Sequence, residues 1–339
     1  MRTFPKLLFV VLFFCAALST IACVKNETPL QAETGAVTFP LRAKSAPDRL
    51  IRPTCTPEPE GLPVPTPFSI VWLSDTQDMS FSNYPHALED MGEWISAQKE
   101  EKNIQYVVQT GDIVENGFSE RQWRNFDQCY NCFKDDIPYL PVAGNHDIGI
   151  RQKSYSAYLK QPLVRQLPRN SIFDRGRAVS AEFESGGTKF VLVGAGWGSE
   201  LMAEDWMNRV LRTHSDSVAI LLFHGYIQGS GRYTIEGKKM FEDVVKTNPN
   251  VRIVLCGHVC GTGLRYEDID DDGDGVPDRR VTALLYNYQH FEDECGQLRL
   301  LTFVPENHSL QVTTYSPHTQ QFYRDCQFSR STFTIDHAY

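Results

Sequence analysis

The chain has no excess of positive charge, and this limits the partners that it can bind. Its 33 lysine and arginine residues are outnumbered by 42 aspartate and glutamate residues, which gives a formal net charge of -9. A protein that binds nucleic acid without sequence preference needs a basic face to neutralise the phosphates. The composition therefore argues against nonspecific nucleic-acid binding, while a local pocket for one phosphate stays compatible with it.

The chain is also short of apolar runs that could cross a membrane. The candidate lies near the start, where Arg2 and Lys6 precede the apolar run Leu7–Ala17 and small residues follow. Even when this run is extended to Ala22, it is shorter than the roughly 20 residues that span a bilayer as a helix. The pattern predicts a secretory signal peptide over residues 1–22, with an uncleaved anchor as the alternative.

The end of this segment is similar to a bacterial lipoprotein signal, in which a small residue precedes a cysteine that is lipidated after cleavage. Cys23 is the candidate lipidation site, although Thr20 stands where that pattern prefers Leu or Val. We expect an exported protein, located in the periplasm, on the envelope as a lipoprotein, or outside the cell. Contact with a membrane is expected only through this N-terminal lipid anchor.

Proline is concentrated in the segment that follows. Residues 24–67 contain nine prolines and show no sustained apolar periodicity, which is typical of an extended linker. We therefore predict a linker over residues 23–66 and one folded domain over residues 67–339. A hydrophobic content of 41% is sufficient for a substantial core in that domain, which is expected to be monomeric.

The chain has nine cysteines, and the predicted export makes disulfides between them possible. If Cys23 is lipidated, the mature chain keeps an odd number of cysteines, namely Cys55, Cys129, Cys132, Cys256, Cys260, Cys295 and Cys326. At least one thiol then lacks an intramolecular partner, and metal ligation is one stable outcome for it. Cys129 and Cys132 form a C-x-x-C without a second pair, so a local disulfide or two buried thiols is predicted there.

What the chain does contain is a repeated pattern of apolar runs that end on a residue able to bind a metal or move a proton. The five runs are Ser69–Asp75, Ile104–Asp112, Tyr139–His146, Val218–His224 and Val251–His258. In α/β sheets, ligands collect at the carboxyl ends of the strands. The pattern therefore predicts that five strand ends meet in one site.

The remaining periodicity gives a coarse secondary structure. Helices are predicted over residues 84–102, 120–134, 201–213 and 237–246, and a strand over residues 189–193. Residues 150–185 are predicted to be an irregular loop over the site. Residues 281–336 are predicted to be successive strands that form a second sheet packing on the first.

The motifs at the strand ends resemble those of the calcineurin-like metallophosphoesterases. The sequence has Asp75-x-Gln77, Gly111-Asp112, Gly144-Asn-His-Asp147, His224 and Gly257-His258-x-Cys260, where the family pattern is D-x-H, G-D-x-x-D, G-N-H-D/E, H and G-H-x-H. The order of all five blocks makes coincidence improbable. A bacterial subgroup shares the first block Ser74-Asp-Thr-Gln77, a Tyr-Gln pair like Tyr288-Gln289 and a late Thr314-Tyr-Ser-Pro317.

The resemblance implies an α/β fold of two mixed β-sheets packed as a sandwich and flanked by helices, in four layers. It also implies two transition-metal ions, zinc, iron or manganese, with Asp112 as the bridging ligand. One ion would be held by Asp75, Gln77 and Cys260, and the other by Asn145, His224 and His258. Metal-bound hydroxide would be the nucleophile. His146, oriented by Asp147, would stabilise the phosphoryl oxygens or protonate the leaving group.

Two departures from the family pattern fall on the same ion. Gln77 and Cys260 both stand where the wider family has histidine. A neutral amide is a weak ligand, whereas a thiolate is a strong, soft one that favours zinc or iron. The resemblance therefore leaves open whether this first site is unusual, weak or empty, and whether Cys260 pairs with another cysteine instead.

An acidic loop over residues 268–280 carries a further metal-binding pattern. Asp270, Asp272 and Asp274 have the D-x-D-x-D-G spacing that opens an EF-hand loop, but Val281 stands where the closing glutamate belongs. With Asp278, the stretch resembles the aspartate-rich calcium repeats of thrombospondin type. Bound calcium that stiffens the loop is one interpretation, and a solvated acidic hairpin is the other.

The sequence thus predicts a metal-dependent phosphoesterase that hydrolyses a small phosphate mono- or diester. The alternative is a non-catalytic metal-binding envelope protein with an impaired first site, which recognises a phosphorylated ligand without turning it over. A calcium-dependent surface module is a third hypothesis, supported by the acidic loop alone.

Overall fold

The structure, a computed structural model, describes residues 66–82, 85–167, 171–289, 295–323 and 331–339. The predicted signal peptide, Cys23 and the linker up to residue 65 lie outside this part of the chain, as do Cys55 and Cys326.

The first of two sheets combines strands from both ends of the domain. Its strands are β1 Phe68–Leu73, β2 Ile104–Gln109, β3 Tyr139–Pro141, β11 Leu298–Val304, β12 Ser309–Ser316, β13 Gln321–Tyr323 and β14 Phe333–Ile335. The order is β13-β12-β11-β1-β2-β3, with β14 also paired to β12. β1, β2 and β3 are parallel, whereas β11 runs antiparallel to β1.

The second sheet is formed by the middle of the chain. Its strands are β4 Ile172–Phe173, β5 Ala178–Ser185, β6 Thr188–Ala195, β7 Val218–Phe223, β8 Val251–Cys256, β9 Gly261–Ile269 and β10 Arg279–Asn287. They follow the order β4-β5-β6-β7-β8-β10-β9. β6, β7, β8 and β10 are parallel neighbours, and the edges are antiparallel.

The helices are mostly short. They are α1 Gln77–Phe81, α2 Pro85–Ala97, α3 Glu120–Phe133, α4 Asn145–Ile148, α5 Tyr155–Tyr158, α6 Pro162–Arg165, α7 Glu200–Thr213 and α8 Ile235–Met240, which continues into a π-helical segment, Phe241–Val245. A 3-10 turn covers Ile150–Gln152. None of the described helices combines the length and apolarity that crossing a lipid bilayer requires.

Strands with two buried faces hold the layers together. In β1, Phe68, Ile70 and Trp72 point into the core between the sheets, while Val71 and Leu73 point to the core beneath helices α2 and α3. Because side chains alternate along a strand, an unbroken apolar run can serve both cores. Strand β7 does the same between the inner core and helices α7 and α8. The four-layer sandwich predicted from the family resemblance is confirmed.

The structure corrects three of the secondary-structure predictions. The strands after residue 298 do not form a second sheet, because β11 pairs with β1 and completes the first one. Residues 150–185 are not irregular throughout, since they contain short helices and the eight-residue strand β5. The helix α1 directly after the first motif was not predicted.

The C-x-x-C pair is not a disulfide. Cys129 and Cys132 are both free, the first buried and the second partly exposed. The Cys132 thiol donates to the carbonyl of Gln128 at 3.0 Å, one turn earlier in α3. The alternative of two thiols is therefore correct, although only Cys129 is fully buried.

Candidate metal centre

Three of the predicted ligands lie on tight turns directly after strands. Asp75, Asp112 and His258 have backbone φ angles of 51°, 49° and 70°, a left-handed conformation that is unfavourable for residues other than glycine. Such strain persists only where surrounding contacts enforce it, and it concentrates at functional sites. The turns aim these three side chains away from their strands and toward one another.

Backbone hydrogen bonds tie the turns together in pairs within each sheet. The amide of Asp75 donates to the carbonyl of Gly111 at 3.1 Å, and the amide of Gly257 donates to the carbonyl of His224 at 2.9 Å. Between the sheets, the backbone at Gly257 lies so close to the Asp75 carboxylate that a Cβ there would overlap it. The carboxyl ends of the strands from both sheets thus meet at one place, as the sequence predicted.

Asp112, His224 and His258 form the centre of the site. Each offers a ligand atom, and these atoms all lie within 4.8 Å of one another. The Nδ1 atom of His224 contacts the carbonyl of Thr110 at 2.8 Å, which leaves Nε2 directed at Asp112 Oδ2, 3.1 Å away. The amide oxygen of Asn145 lies 3.0 Å from the same Nε2 atom. A carboxylate, two imidazoles and an amide oxygen fit a transition-metal ion.

Burial and mutual charge perturb the pKa values of these groups. Burial opposes protonation of His224 and is the largest single effect, but Asp112, Asp75 and the Thr110 carbonyl together outweigh it and raise the pKa of His224 to about 9. Burial works against ionisation of Asp112, yet His224 keeps the pKa of that carboxyl lowered. Burial also lowers the pKa of His258 to about 4. Asp112 and His224 therefore each favour the charged form of the other.

Asp75 lies beside this centre and accepts hydrogen bonds from two protein donors. Its carboxylate accepts from the backbone amide of His258, 3.0 Å from Oδ1, and from the Ser74 hydroxyl. Burial raises the pKa of Asp75 to about 7. Asp75 was predicted to bind one ion and His258 the other, so this hydrogen bond connects the two predicted ion positions.

The structure brings Gln77 and Cys260 near Asp75, but with a third residue between them. The side-chain amide of Gln289 contacts that of Gln77 and lies 3.7 Å from the Cys260 sulfur. Burial raises the pKa of the Cys260 thiol. Among the described residues, this position has no group of three carboxyl, imidazole or thiol ligands comparable with the one at Asp112. Gln289 was not predicted as a site residue, although the Tyr288-Gln289 pair was part of the resemblance.

Glu115, and not Asp147, contacts the ring of His146. The His146 Nδ1 atom lies 3.0 Å from a Glu115 carboxylate oxygen and 3.3 Å from the Glu115 carbonyl. The buried Asp147 carboxylate instead accepts three backbone amides, from Ile113 at 2.9 Å, Val114 at 3.0 Å and Gly144 at 2.8 Å. The prediction that Asp147 orients His146 is therefore corrected. Asp147 holds the loop that carries Asp112, as a buried carboxylate with matched donors does.

One aromatic residue at the site was missed. The Trp197 ring lies 4.6 Å from that of His258 and 5.6 Å from that of His224, centroid to centroid. Its amide donates to the carbonyl of Ala143 at 2.8 Å. The sequence did offer a signal for it, because Trp197 stands between two glycines directly after a strand. Small neighbours allow a large ring to approach other segments of the chain.

A cleft of about 940 Å³ opens in front of His146. Its lining includes Asn145, His146, Glu115, Lys153, Asp78, Gln289 and the exposed apolar residues Phe81, Phe118 and Ile150. A smaller cavity of about 240 Å³ adjoins Asp75 and is lined by aromatic residues that include Tyr286 and Tyr288. The site therefore has room for a ligand with both polar and apolar parts.

The acidic loop lies between β9 and β10. Carboxylate oxygens of Asp270, Asp272 and Asp274 come within 4.8 Å of one another, as the predicted calcium pattern requires. Asp278 points elsewhere, because its carboxylate accepts the backbone amide of Asp271 at 2.7 Å and so closes the turn. Calcium binding at this loop stays a prediction.

Comparison with known proteins agrees with this arrangement. The calcineurin-like phosphoesterase family matches residues 68–261. The uncharacterized protein YvnB of Bacillus subtilis (strain 168) is 40% identical over 261 residues, which are 75% of this chain and 20% of that protein. A "Probable cyclic nucleotide phosphodiesterase" of Moraxella catarrhalis (strain BBH18) is 27% identical, over 57% of this chain and 71% of that protein.

Solved structures show the same fold. The purple acid phosphatase PPD1 from yellow lupin (Lupinus luteus) seeds superposes with a TM-score of 0.55 at 16% identity, covering 80% of this chain and 54% of that one. This chain thus spans about a fifth of YvnB and about half of the lupin protein. Since the family match covers more than half of the sequence, the chain belongs to the calcineurin-like phosphoesterase family.

Proposed function

We propose that this protein hydrolyses a phosphate ester with the help of bound metal. Membership of the family implies divalent metal ions, and the observation that carries the proposal is the convergence of Asp112, His224 and His258 within 4.8 Å of one another. Asn145 adds an amide oxygen to this group. A divalent ion held there would polarise the phosphoryl group and activate a water molecule.

The residues of the protein supply the remaining steps. Attack by water forms a new bond between oxygen and phosphorus, and the ester bond between phosphorus and the leaving oxygen breaks. His146 lies beside Asn145 at the cleft and gives its proton to that leaving oxygen, while Glu115 holds the ring in place. The water molecule supplies the proton that restores His146.

The charge of the cleft favours a diester over a monoester. Among the described residues that line it, Lys153 is the one lysine or arginine side chain, and Asp78 and Glu115 are acidic. A phosphate monoester carries close to two negative charges near neutral pH and a diester carries one, so these acidic side chains, taken apart from the bound metal ion, oppose the monoester more strongly. The exposed side chains of Phe81 and Phe118 offer apolar surface to an ester group. The name of the Moraxella relative also supports a phosphodiester.

Paired chromogenic substrates test this function. We expect metal-loaded protein to release nitrophenol from bis(p-nitrophenyl) phosphate faster than from p-nitrophenyl phosphate. His224→Ala should abolish turnover, whereas His214→Ala, which removes a histidine paired with Glu182 away from the site, should not. No turnover by the unchanged, metal-loaded chain on mono- and diesters, including cyclic nucleotides, would refute the proposal.

A non-catalytic metal-binding protein is the second candidate. Its support is the pair of neutral amides, Gln77 and Gln289, that stands beside Asp75 in place of charged or imidazole ligands. Such a protein would bind a phosphorylated ligand without releasing product. Calorimetry with inorganic phosphate, run beside the turnover assay, distinguishes the two candidates.

For the location we propose export with a lipid anchor at Cys23. The support is the run Leu7–Ala17 behind Arg2 and Lys6, followed by a cysteine and a proline-rich linker. Expression in a bacterium with a Cys23→Ser control tests it. The unchanged chain should fractionate with membranes and the variant should not, and equal fractionation would contradict the anchor.

A further inference from the structure

We infer that this chain retains a single transition-metal ion, on Asp112, His224 and His258, and that the amides of Gln77 and Gln289 close the neighbouring position beside Asp75 to a second one. A single retained ion and the proposed hydrolysis both require that Asp112, His224 and His258 bind a metal, and this is the one point at which the inference rests on the proposed function. One retained ion differs from the pair of ions that the family resemblance implied.

The side chain of Gln77 is engaged with the main chain. The end of its amide that faces inward lies 3.1 Å from the carbonyl oxygen of Asp75 and 3.0 Å from that of Asp112. Carbonyl oxygens only accept hydrogen bonds, so the group that faces them is the NH₂ of the amide. Gln77 is buried, and both of its partners have left-handed backbones. It therefore acts as a clamp on the two strained turns.

Gln289 occupies the space that remains. Its side chain contacts Gln77 on one side and lies 3.7 Å from the Cys260 sulfur on the other. Its backbone amide donates to Asn287 Oδ1 at 2.9 Å, and the buried Asn287 donates in turn to the carbonyl of His258 at 3.2 Å. The position of Gln289 is thus fixed by the same turn that carries a metal ligand.

The two sides of the site consequently differ in the ions that they can hold. The Asp112 side has two imidazoles and a carboxylate, which suit zinc or iron. The Asp75 side has one carboxylate that already accepts the His258 amide, two neutral amides, and the Cys260 thiol, whose sulfur faces the Gln289 amide at 3.7 Å. Amide and carboxylate oxygens suit hard cations such as magnesium, which bind weakly and exchange readily. A second transition-metal ion would therefore be lost on dialysis.

Metal content after dialysis tests the inference directly. The chain is loaded with excess zinc, dialysed against metal-free buffer and measured by plasma mass spectrometry and by native mass spectrometry. We expect about one ion in the unchanged chain and about two in the double variant Gln77→His, Cys260→His, because the new imidazoles supply the missing ligands. Two retained ions in the unchanged chain would overturn the inference, and so would a folded double variant that gains none.

A matched control makes the same two changes elsewhere. Gln105 lies in β2 and Cys132 in α3, and neither side chain contacts the site, so Gln105→His with Cys132→His should leave the content at one ion. If the site variant does not fold, the measurement on the unchanged chain alone decides. The inference and the function fail separately: one retained ion without turnover refutes only the function, and two ions with turnover refute only the inference.

Discussion

The Nδ1 atom of His146 lies 3.0 Å from a carboxylate oxygen of Glu115, and both side chains are about one-third exposed at the cleft, with 35% and 37% of their side-chain surface accessible. The ring is thus held by a residue from the Gly111–Asn116 segment, while its backbone amide donates to Asp112 Oδ1 at 2.9 Å. The proposed proton donor and the proposed metal ligand are thus fixed by the same loop.

This pairing predicts the effect of Glu115→Gln. Loss of the carboxylate frees the His146 ring, so we expect kcat to fall by about 10-fold or more and the pH dependence of kcat to change. Bound metal, measured by mass spectrometry, should not change.

A double-mutant cycle identifies the cause. If Glu115 acts through His146, the substitution should have no further effect in a His146→Ala background. A full additional loss in that background would show that Glu115 has a separate role.

Removal of metal should lower stability. Asp112 and His224 are buried next to each other, and an ion bound to the folded chain alone stabilises it by about 2.7 kcal/mol at 100 times its dissociation constant. Differential scanning calorimetry should therefore show a melting temperature lower by roughly 5 °C after chelation. The shift should shrink in His258→Ala and persist in His214→Ala; a chelator effect of equal size in all three chains would contradict the assignment.

Glu200, which is not one of the proposed metal ligands, predicts a pH-dependent stability. It lies buried at the start of α7, and its Oε1 atom has no hydrogen-bond partner among the described residues. Burial raises its pKa from 4.5 to about 7. A carboxyl whose pKa is higher in the folded chain than in the unfolded chain stabilises the fold most at pH values below its ordinary pKa. This stabilisation is lost as the pH rises through about 7.

The variant Glu200→Gln tests the direction of this pH dependence of stability. Relative to the unchanged chain, the variant should become more stable as the pH rises, by about 2–3 kcal/mol between roughly pH 5 and pH 8. Urea unfolding at both pH values measures it. A constant difference would show that Glu200 keeps the same protonation state in the folded and unfolded chain.

Calcium should bind the acidic loop if the carboxylates of Asp270, Asp272 and Asp274 act as one group. We expect calorimetry to show binding that Asp272→Asn weakens by about 10-fold, with phosphoester hydrolysis unchanged because the loop is not part of the cleft. Asp268→Asn is the matched control, since Asp268 pairs with Arg280 instead. Identical calcium titrations of all three proteins would favour the solvated hairpin.

The sequence was sufficient to predict that side chains at the ends of these strands come together. Runs such as Val218–Phe223 and Val251–Cys256 are buried on both faces, so their length and apolarity alone identify them as central strands. The residue that follows such a strand lies at its carboxyl end, where ligands bind in α/β sheets. This local rule placed His224 and His258 in the site. The helix Glu120–Phe133 was equally predictable from its spacing.

The tertiary structure decided the partners. Strand β11 joins β1, Gln289 fills the space beside Gln77, and Glu115 replaces Asp147 as the partner of His146. Each of these contacts depends on how a loop turns or on which edge strand is open for pairing. Periodicity and strand ends are local properties that the sequence carries by itself, whereas a hydrogen-bond partner is selected by packing over the whole domain.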